Sequence, residues 1–498
     1  MAITQRRQKQ KGIPTNEFVV NLQDFYLGFS PLAHIDSLTQ KGNAGHASVM
    51  TDADILSGVL TQGPGLANLA NGTQAGVVKE LINFILDVPT ASDVTYGIGP
   101  TKLFKISSTT VASGGTPSWP QAITNCTDGE SVVQMGGNVY GFYNKSSGGD
   151  ILKMPISTEI IDPDWGSTTP ITGAAAIQKA PHPVAVKEDI MLFGNGQYVG
   201  TYIGDTDILD VDKLDFGSGC EVADVVFHGN YWYIAVNGGI TGTNRSIGQI
   251  FLYDGAATES VLADETGVGI QRIGFLYVLD GIVYVCYQDL SSSGGYNIGY
   301  IIGRQIKKLV SFTGSLPTFA QKTLYQHTIL FVSSQSLWSF GAVSSDLPIQ
   351  ISQIADGGYA TLGALAAPFG MPMVASTDGG GNYRLAYFSG YTTTTSWKSV
   401  VIPTCSGRIK GYIDTITVLT NSLGTSARAD LTIEADQITR TSNSKSITTS
   451  GKIRHVFDTF GLGEILDFRI AINFSNGNAT NACKIRNIII KGHWCESG

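Results

Sequence analysis

The chain has 498 residues, with 32 Lys or Arg against 40 Asp or Glu and a formal net charge of −8. Only 14% of its residues are charged while 42% are hydrophobic. An ordinary soluble domain carries roughly 25% charge, so intrinsic disorder is excluded for most of the chain and its outside is expected to be Ser, Thr, Asn, Gly and Gln, or to be covered by other subunits.

The N-terminal stretch MAITQRRQKQKG is basic but has no apolar segment behind it, which argues against a secretory signal. Within it Arg6, Arg7, Lys9 and Lys11 put four positive charges in six residues. Such a cluster can neutralise phosphates or dock into an acidic groove of a partner. It lacks the interleaved aromatics that stack nucleic-acid bases; a partner-binding tail that becomes ordered in an assembly is expected. The rest of residues 1–76 holds few periodic apolar positions, and reads as an extended arm lying across its own molecule or a neighbour. Membrane spans are not expected, because the most apolar stretch, GALAAPFGMPMVA (363–375), is cut by Gly and Pro.

From residue 77 to 403 short runs rich in Val, Ile, Tyr and Phe alternate with Gly, Asn, Asp and Ser turns, the signature of hairpins. The runs recur. The clearest copies are SVVQMGGNVYGFYN (131–144), HPVAVKEDIMLFGN (182–195), ADVVFHGNYWYIAVNG (223–238), IGFLYVLDGIVYVCYQD (273–289), KTLYQHTILFVSS (322–334) and MPMVASTDGGGNYRLAYFSG (371–390), with a weaker one in ELINFILDVPTASDVTYGIG (80–99). Marked by Pro89, Gly137, Glu188, Gly229, Asp280, Gln326 and Asp378, successive turns are 41 to 52 residues apart. Third strands follow in KLFKIS (102–107), DILKMPI (150–156), QIFLYDG (249–255), NIGYIIG (297–303) and LWSFGA (337–342). A unit of three or four antiparallel strands every ~40–50 residues predicts a β-propeller, with about seven blades, or six if the first copy fails; a β-sandwich with accidental spacing is the alternative.

After residue 404 the alternation becomes stricter. In DFRIAINF (467–474), Phe468, Ile470, Ile472 and Phe474 point one way and Asp467, Arg469 and Asn473 the other, and Leu431 and Ile433 repeat the pattern in ADLTIEAD (429–436). With YIDTITVLTN (412–421), KIRHVFD (452–458) and KIRNIIIKG (484–492), residues 404–498 predict a small antiparallel β-sandwich.

Chemistry-bearing motifs are scarce. There is no G-x-x-x-x-G-K-[ST], no G-x-S-x-G and no H-E-x-x-H. Six cysteines (Cys126, Cys220, Cys286, Cys405, Cys483 and Cys495) and seven histidines (His34, His46, His182, His228, His327, His455 and His493) show no metal-ligand spacing. Asp205, Asp207, Asp210, Asp212 and Asp215 form the densest acidic stretch and offer hard oxygen ligands for Ca²⁺. They lack the central Gly and closing Glu of an EF-hand loop, so solvated carboxylates are favoured. Asp162 and Asp164, around Pro163, read as a turn. Tyr231, Trp232 and Tyr233 could stack on a sugar ring, although such residues in a blade strand are usually core. Glycosidase propellers gather carboxylates and an Arg cluster at the channel mouth; the chain is poor in both, and only STDGGG (376–381) echoes the S-x-D-x-G-x-T-W element. No catalytic residue, metal or cofactor is expected.

A Gly-rich arm with DFYLGFSP (24–31) and VLTQGPGL (59–66), a propeller, and a terminal sandwich ending FRIAINFSN…CKIRNIIIKG resemble, in this order, the tail hub or nozzle proteins of tailed bacteriophages, of the packaged-DNA stabilisation type. The resemblance implies a homo-oligomeric ring, commonly a hexamer, in the virion tail below portal and adaptor proteins. It implies a channel through which double-stranded DNA passes without sequence-specific contacts, and a structural and gating role rather than an enzymatic one. A receptor- or glycan-binding propeller is the competing expectation.

Overall fold

The computed structural model describes residues 9–10, 13–14, 17–23, 25, 47–51, 53–54, 59–69, 84–85, 94–108, 118–169, 171–173, 175–239, 246–256, 258–261, 269–290, 294–325, 328–341, 350–356, 361–377, 383–392, 394–404, 410–424, 426–437, 439–458, 460–476 and 482–495. Among the described residues the chain is nearly all β, with seven propeller blades joined to an antiparallel sandwich. Among the described residues no helix is long and apolar enough to cross a membrane.

Blade 1 consists of Phe84–Ile85, Val94–Ile98, Lys102–Ser107 and Ser118–Ala122, and blade 2 of Asp128–Met135, Asn138–Asn144 and Gly149–Pro155. Val184–Lys187, Ile190–Asn195, Tyr198–Ile203 and Ile208–Asp215 form blade 3, on whose outer strand Ile171–Thr172 lies parallel. Blade 4 runs through Cys220–His228, Tyr231–Gly239, Ser246–Tyr253 and Thr258–Val261, and blade 5 through Ile270–Leu279, Ile282–Asp289, Gly295–Ile302 and Gln305–Thr313. Blade 6 has Lys322–Tyr325, Thr328–Ser333, Ser336–Gly341 and Gln350–Asp356.

These sheets follow from local chemistry. Residues Asp280 and Gly281 join two strands of blade 5 with φ of 49° and 75°, the left-handed pair that a two-residue hairpin requires and that Asp-Gly supplies at little cost. Strands at the middle of a blade are buried on both faces: every residue of Thr328–Ser333 is buried, as is all of Val283–Tyr287. A blade therefore has two apolar faces to cover, and seven separate apolar clusters each join one blade to the next. At roughly 25 cal/mol per Å² of apolar area, these seams are the main source of propeller stability.

Blade 7 departs from the regular pattern. Its own strands are Thr361–Ala366, Met373–Thr377 and Tyr383–Tyr391, and its fourth is Pro64–Asn68 from the N-terminal region, pairing Leu66 with Phe388 and Asn68 with Ala386. The repeat copy placed at 371–390 is thus displaced by one strand: Asp378 lies between the second and third strands of its blade, where Gly137, Glu188, Gly229 and Asp280 lie between first and second. The small residues of TLGALA in the first strand hid it. Leu69 continues from the closing strand into the seam with blade 1, beside Phe104, Ile106, Met373 and Leu385, and its N–H donates to the Leu385 carbonyl at 2.9 Å.

The sandwich also takes strands from the N-terminal region. Glu17–Leu22 pairs with Ile485–Trp494 in a sheet continued by Gly411–Thr420 and Arg454–Asp458. Ala47–Thr51 extends the second sheet through Thr394–Ser399, Asp467–Asn476 and Ala427–Ala435. Phe468, Ile470, Ile472, Phe474, Leu431 and Ile433 all face the core between the sheets, as their alternation predicts, and Phe18, Val20 and Leu22 join them. The segment read as an arm is therefore woven into both domains. Of its basic cluster, Arg6, Arg7 and Lys11 lie outside the described residues, and Lys9 falls in a two-residue strand, Lys9–Gln10, paired with Ile13–Pro14.

Candidate functional site at the propeller axis

Each blade packs its first strand against the next blade, and the circle closes where Thr361–Ala366 meets Phe84–Ile85. At one end of this circle the residues near the start of the first strands surround a cavity of about 380 Å³. Glu130 comes from blade 2, Pro181 from the approach to blade 3, Glu221 and Ala223 from blade 4 and Arg272 to Gly274 from blade 5; Leu316 to Gln321 come from the approach to blade 6, and Gly363 and Ala364 from blade 7. Contributions from six of the seven blades place the cavity on the axis. Its size lies within the usual range of small-molecule sites, roughly 300–1,000 Å³.

The wall is held by polar links between blades. Asn237, at the end of the second strand of blade 4, accepts from the Ile273 N–H at 2.7 Å and donates to the Ile273 carbonyl at 2.9 Å. Asn144 stands at the corresponding place in blade 2; it donates to Glu130 Oε1 at 2.6 Å and accepts from the Ala180 N–H at 3.1 Å on the way to blade 3. Asn195, in blade 3, makes its links within its own blade: it accepts from the Gln178 N–H at 2.7 Å on the approach and donates to the Val211 carbonyl at 2.9 Å. Deeper in the ring, buried Asp224 of blade 4 accepts from the Leu276 N–H of blade 5 at 2.7 Å and pairs with Lys322 of blade 6, tying three blades. Burial raises the Asp224 carboxyl, against the lowering effect of Lys322. At Gly274 a Cβ would come within 2.1 Å of the Pro317 carbonyl oxygen, so the segment that floors the cavity approaches a strand position only glycine can occupy.

Electrostatics single out Glu130. Burial first, then the charge of Asp128 and, more weakly, that of Glu221 push its carboxyl up to about 8, with the Asn144 hydrogen bond opposing. Glu130 is thus mostly protonated at neutral pH and can donate a hydrogen bond. The cavity combines this neutral acid with the carboxylate Glu221, the exposed cation Arg272 and an apolar floor at Leu316, Phe319 and Ile273.

The other candidate residues stay apart. Among the described residues no group of three His, Cys, Asp or Glu could hold a metal. Within the acidic stretch Asp207 accepts from the Tyr202 hydroxyl at 2.8 Å, Asp212 from the Ala175 N–H at 3.0 Å and Asp215 from Gln197 at 2.8 Å. Asp164 contacts Lys145 at 3.2 Å. Trp232 is buried while Tyr231 is 43% exposed, so the Tyr231–Tyr233 run turns a single ring outward. Cys126, Cys220, Cys286, Cys483 and Cys495 are free thiols, and burial raises Cys286 well above its ordinary value. His34, His46, His327 and Cys405 lie outside the described residues.

No protein-family description and no curated protein matches the chain. Solved structures do. Exo-beta-1,3-galactanase from Phanerochaete chrysosporium is similar at 10% identity and a TM-score of 0.30, over 65% of this chain and 99% of that one. The β-propeller domain of the Trilobed protease from Pyrococcus furiosus is similar at 9% identity and a TM-score of 0.40, over 62% and 96%. The N-terminal domain of Nup159 matches at 8% identity and a TM-score of 0.38, over 66% and 95%. At these identities the likeness is one of fold. A galactanase among these structures stands against the expectation that the chain is not an enzyme, and a likeness of fold assigns no activity.

Proposed function

We propose that the chain is a subunit of a homo-oligomeric ring in a bacteriophage tail, a hub or nozzle that extends and closes the DNA channel below portal and adaptor proteins. The observation that carries this reading is the position of VLTQGPGL, one of the motifs behind the resemblance. Gln62, fully buried, donates to the Thr392 carbonyl at 2.7 Å, and a Cβ on Gly65 would sit 2.6 Å from the Ser389 carbonyl oxygen. Leu60 meanwhile exchanges backbone hydrogen bonds of 3.0 and 2.8 Å with Ile485 of the sandwich. One short segment, residues 60–69, therefore bolts propeller to sandwich and supplies the outermost strand of the last blade. A part that must hold a pressurised duplex without spreading needs that kind of lock. The net charge of −8 favours sliding of DNA phosphates over their capture. Electron microscopy of virions, with an antibody against a tag fused after Gly498, tests the reading. Label and ring density at the distal end of a short tail are the expected result; a chain that is monomeric and absent from particles overturns it.

A further inference from the structure

We infer that the axial cavity is a carbohydrate-binding site for one or two neutral pyranose rings, in which Glu130 donates a hydrogen bond to a sugar hydroxyl and Glu221 and Arg272 complete the polar contacts. The inference stands independently of the tail reading.

The chemistry of the wall selects the ligand. A pyranose has apolar C–H faces and a rim of hydroxyls that both donate and accept. The cavity offers Leu316, Phe319 and Ile273 to the first, and Glu130, Glu221 and Arg272 to the second. Glu221 and Arg272 carry opposite charges, so neither an anion nor a cation finds a wall of one sign. A fully ionised acidic cluster would instead draw cations. At neutral pH Glu130 is protonated because desolvation, Asp128 of its own strand and, more weakly, Glu221 of blade 4 disfavour its charge; Asp128 also shares a side-chain hydrogen bond with it, which a bound hydroxyl has to take over. The donated hydrogen bond is therefore present below about pH 8 and lost above it.

The test is saturation-transfer NMR on the full chain with glucose, galactose, N-acetylglucosamine and their β-linked disaccharides. At least one sugar is expected to bind at pH 6 and to weaken about tenfold at pH 9, where Glu130 is about nine-tenths ionised. Glu130→Gln, which donates at every pH, should bind equally at both. Arg272→Ala, an exposed change that leaves the blades packed, should lose at least about tenfold, the scale of a hydrogen bond to a charged group. Release of monosaccharide from a disaccharide, lost in Arg272→Ala, would also support the site. The inference is overturned if no neutral sugar binds at pH 6, if binding is equal in Arg272→Ala, or if benzamidine or sulfate binds there and the sugars do not.

Discussion

Blades 4 and 5 and the junction of blades 7 and 1 bury the same kind of apolar surface but assemble it differently. The strands of blades 4 and 5 follow one another in the chain, so each pairing closes a short loop; Leu279 and Ile282 face each other across Asp280 and Gly281. In blade 7, whose closing strand leads through Leu69 into that junction, Leu66 pairs with Phe388, more than three hundred residues later. Loop-closure entropy grows only slowly with length, but a contact that spans the chain forms late. Regular blades therefore owe their register to their own turns. The junction owes its register to a strand that cannot be positioned until the rest is built, and its stability depends on that strand fitting without strain.

Gly65→Val attacks that fit and carries the largest expected effect. The added carbons collide with the Ser389 backbone carbonyl, the closing strand is displaced, and the loss is about 5 kcal/mol, at the upper end for a single change; denaturant midpoints and fresh proteolytic cleavage within residues 61–69 measure it. If the midpoint is unchanged, the junction is no weaker a point than the other seams. Within the sequential blades, Lys322→Met leaves the buried Asp224 carboxylate uncompensated and should cost about 3–5 kcal/mol, and Asp224→Leu combined with it should recover most of that loss. Both appear in urea melts.

A pH titration sharpens the comparison further. His182 sits fully buried between blades 2 and 3, its ring 5.8 Å from Phe142 and its Nδ1 2.7 Å from the Gly194 carbonyl. Its folded form resists the proton: the group titrates at about 4 rather than 6.5. The unfolded chain thus binds more protons in this window, and stability present above pH 6.5 falls by about 3 kcal/mol as pH drops to 4. His182→Asn should flatten that slope whatever it does to stability at pH 7. The smallest expected effect is that of Asn237→Ala, which unpairs the N–H and carbonyl of Ile273 for about 2 kcal/mol. A loss confined to blades 4 and 5, seen by hydrogen exchange, would show that these links act one seam at a time.

How much of this was legible in the sequence depended on distance along the chain. Hairpin turns announce themselves because Gly137, Gly229 and the Asp280–Gly281 pair lie beside the strands they join. The Asn residues near the ends of the second strands of blades 2 and 4 were equally visible, in FYN and AVN, but their reach toward the next blade was not. Alternation in DFRIAINF identified the sandwich core because a half-buried strand carries its environment in every second residue. The axial cavity left no local mark. Glu130, Glu221 and Arg272 lie in three different repeats and meet only because the ring closes. The closing strand left none either, since PGLAN is short, partly exposed and apolar at few positions, and its partners are at the other end of the chain. The first strand of blade 7 was passed over for a related reason: Gly363, Ala364 and Ala366 are small, and small residues give no periodic signal.

Glu17 pairs with His493 and Leu22 with Ile488, so the segments before Glu17 and after Trp494 leave from the same end of the same strand pair. Tension applied to both would part the two strands one hydrogen bond at a time, like a zipper. A pull on Pro64–Asn68 along its own length would instead load all its pairings with Tyr383–Tyr391 together. The chain thus has a yielding end and a resisting middle: handles attached at both ends could be drawn outward, freeing the first strand from the sandwich, before the propeller felt the force.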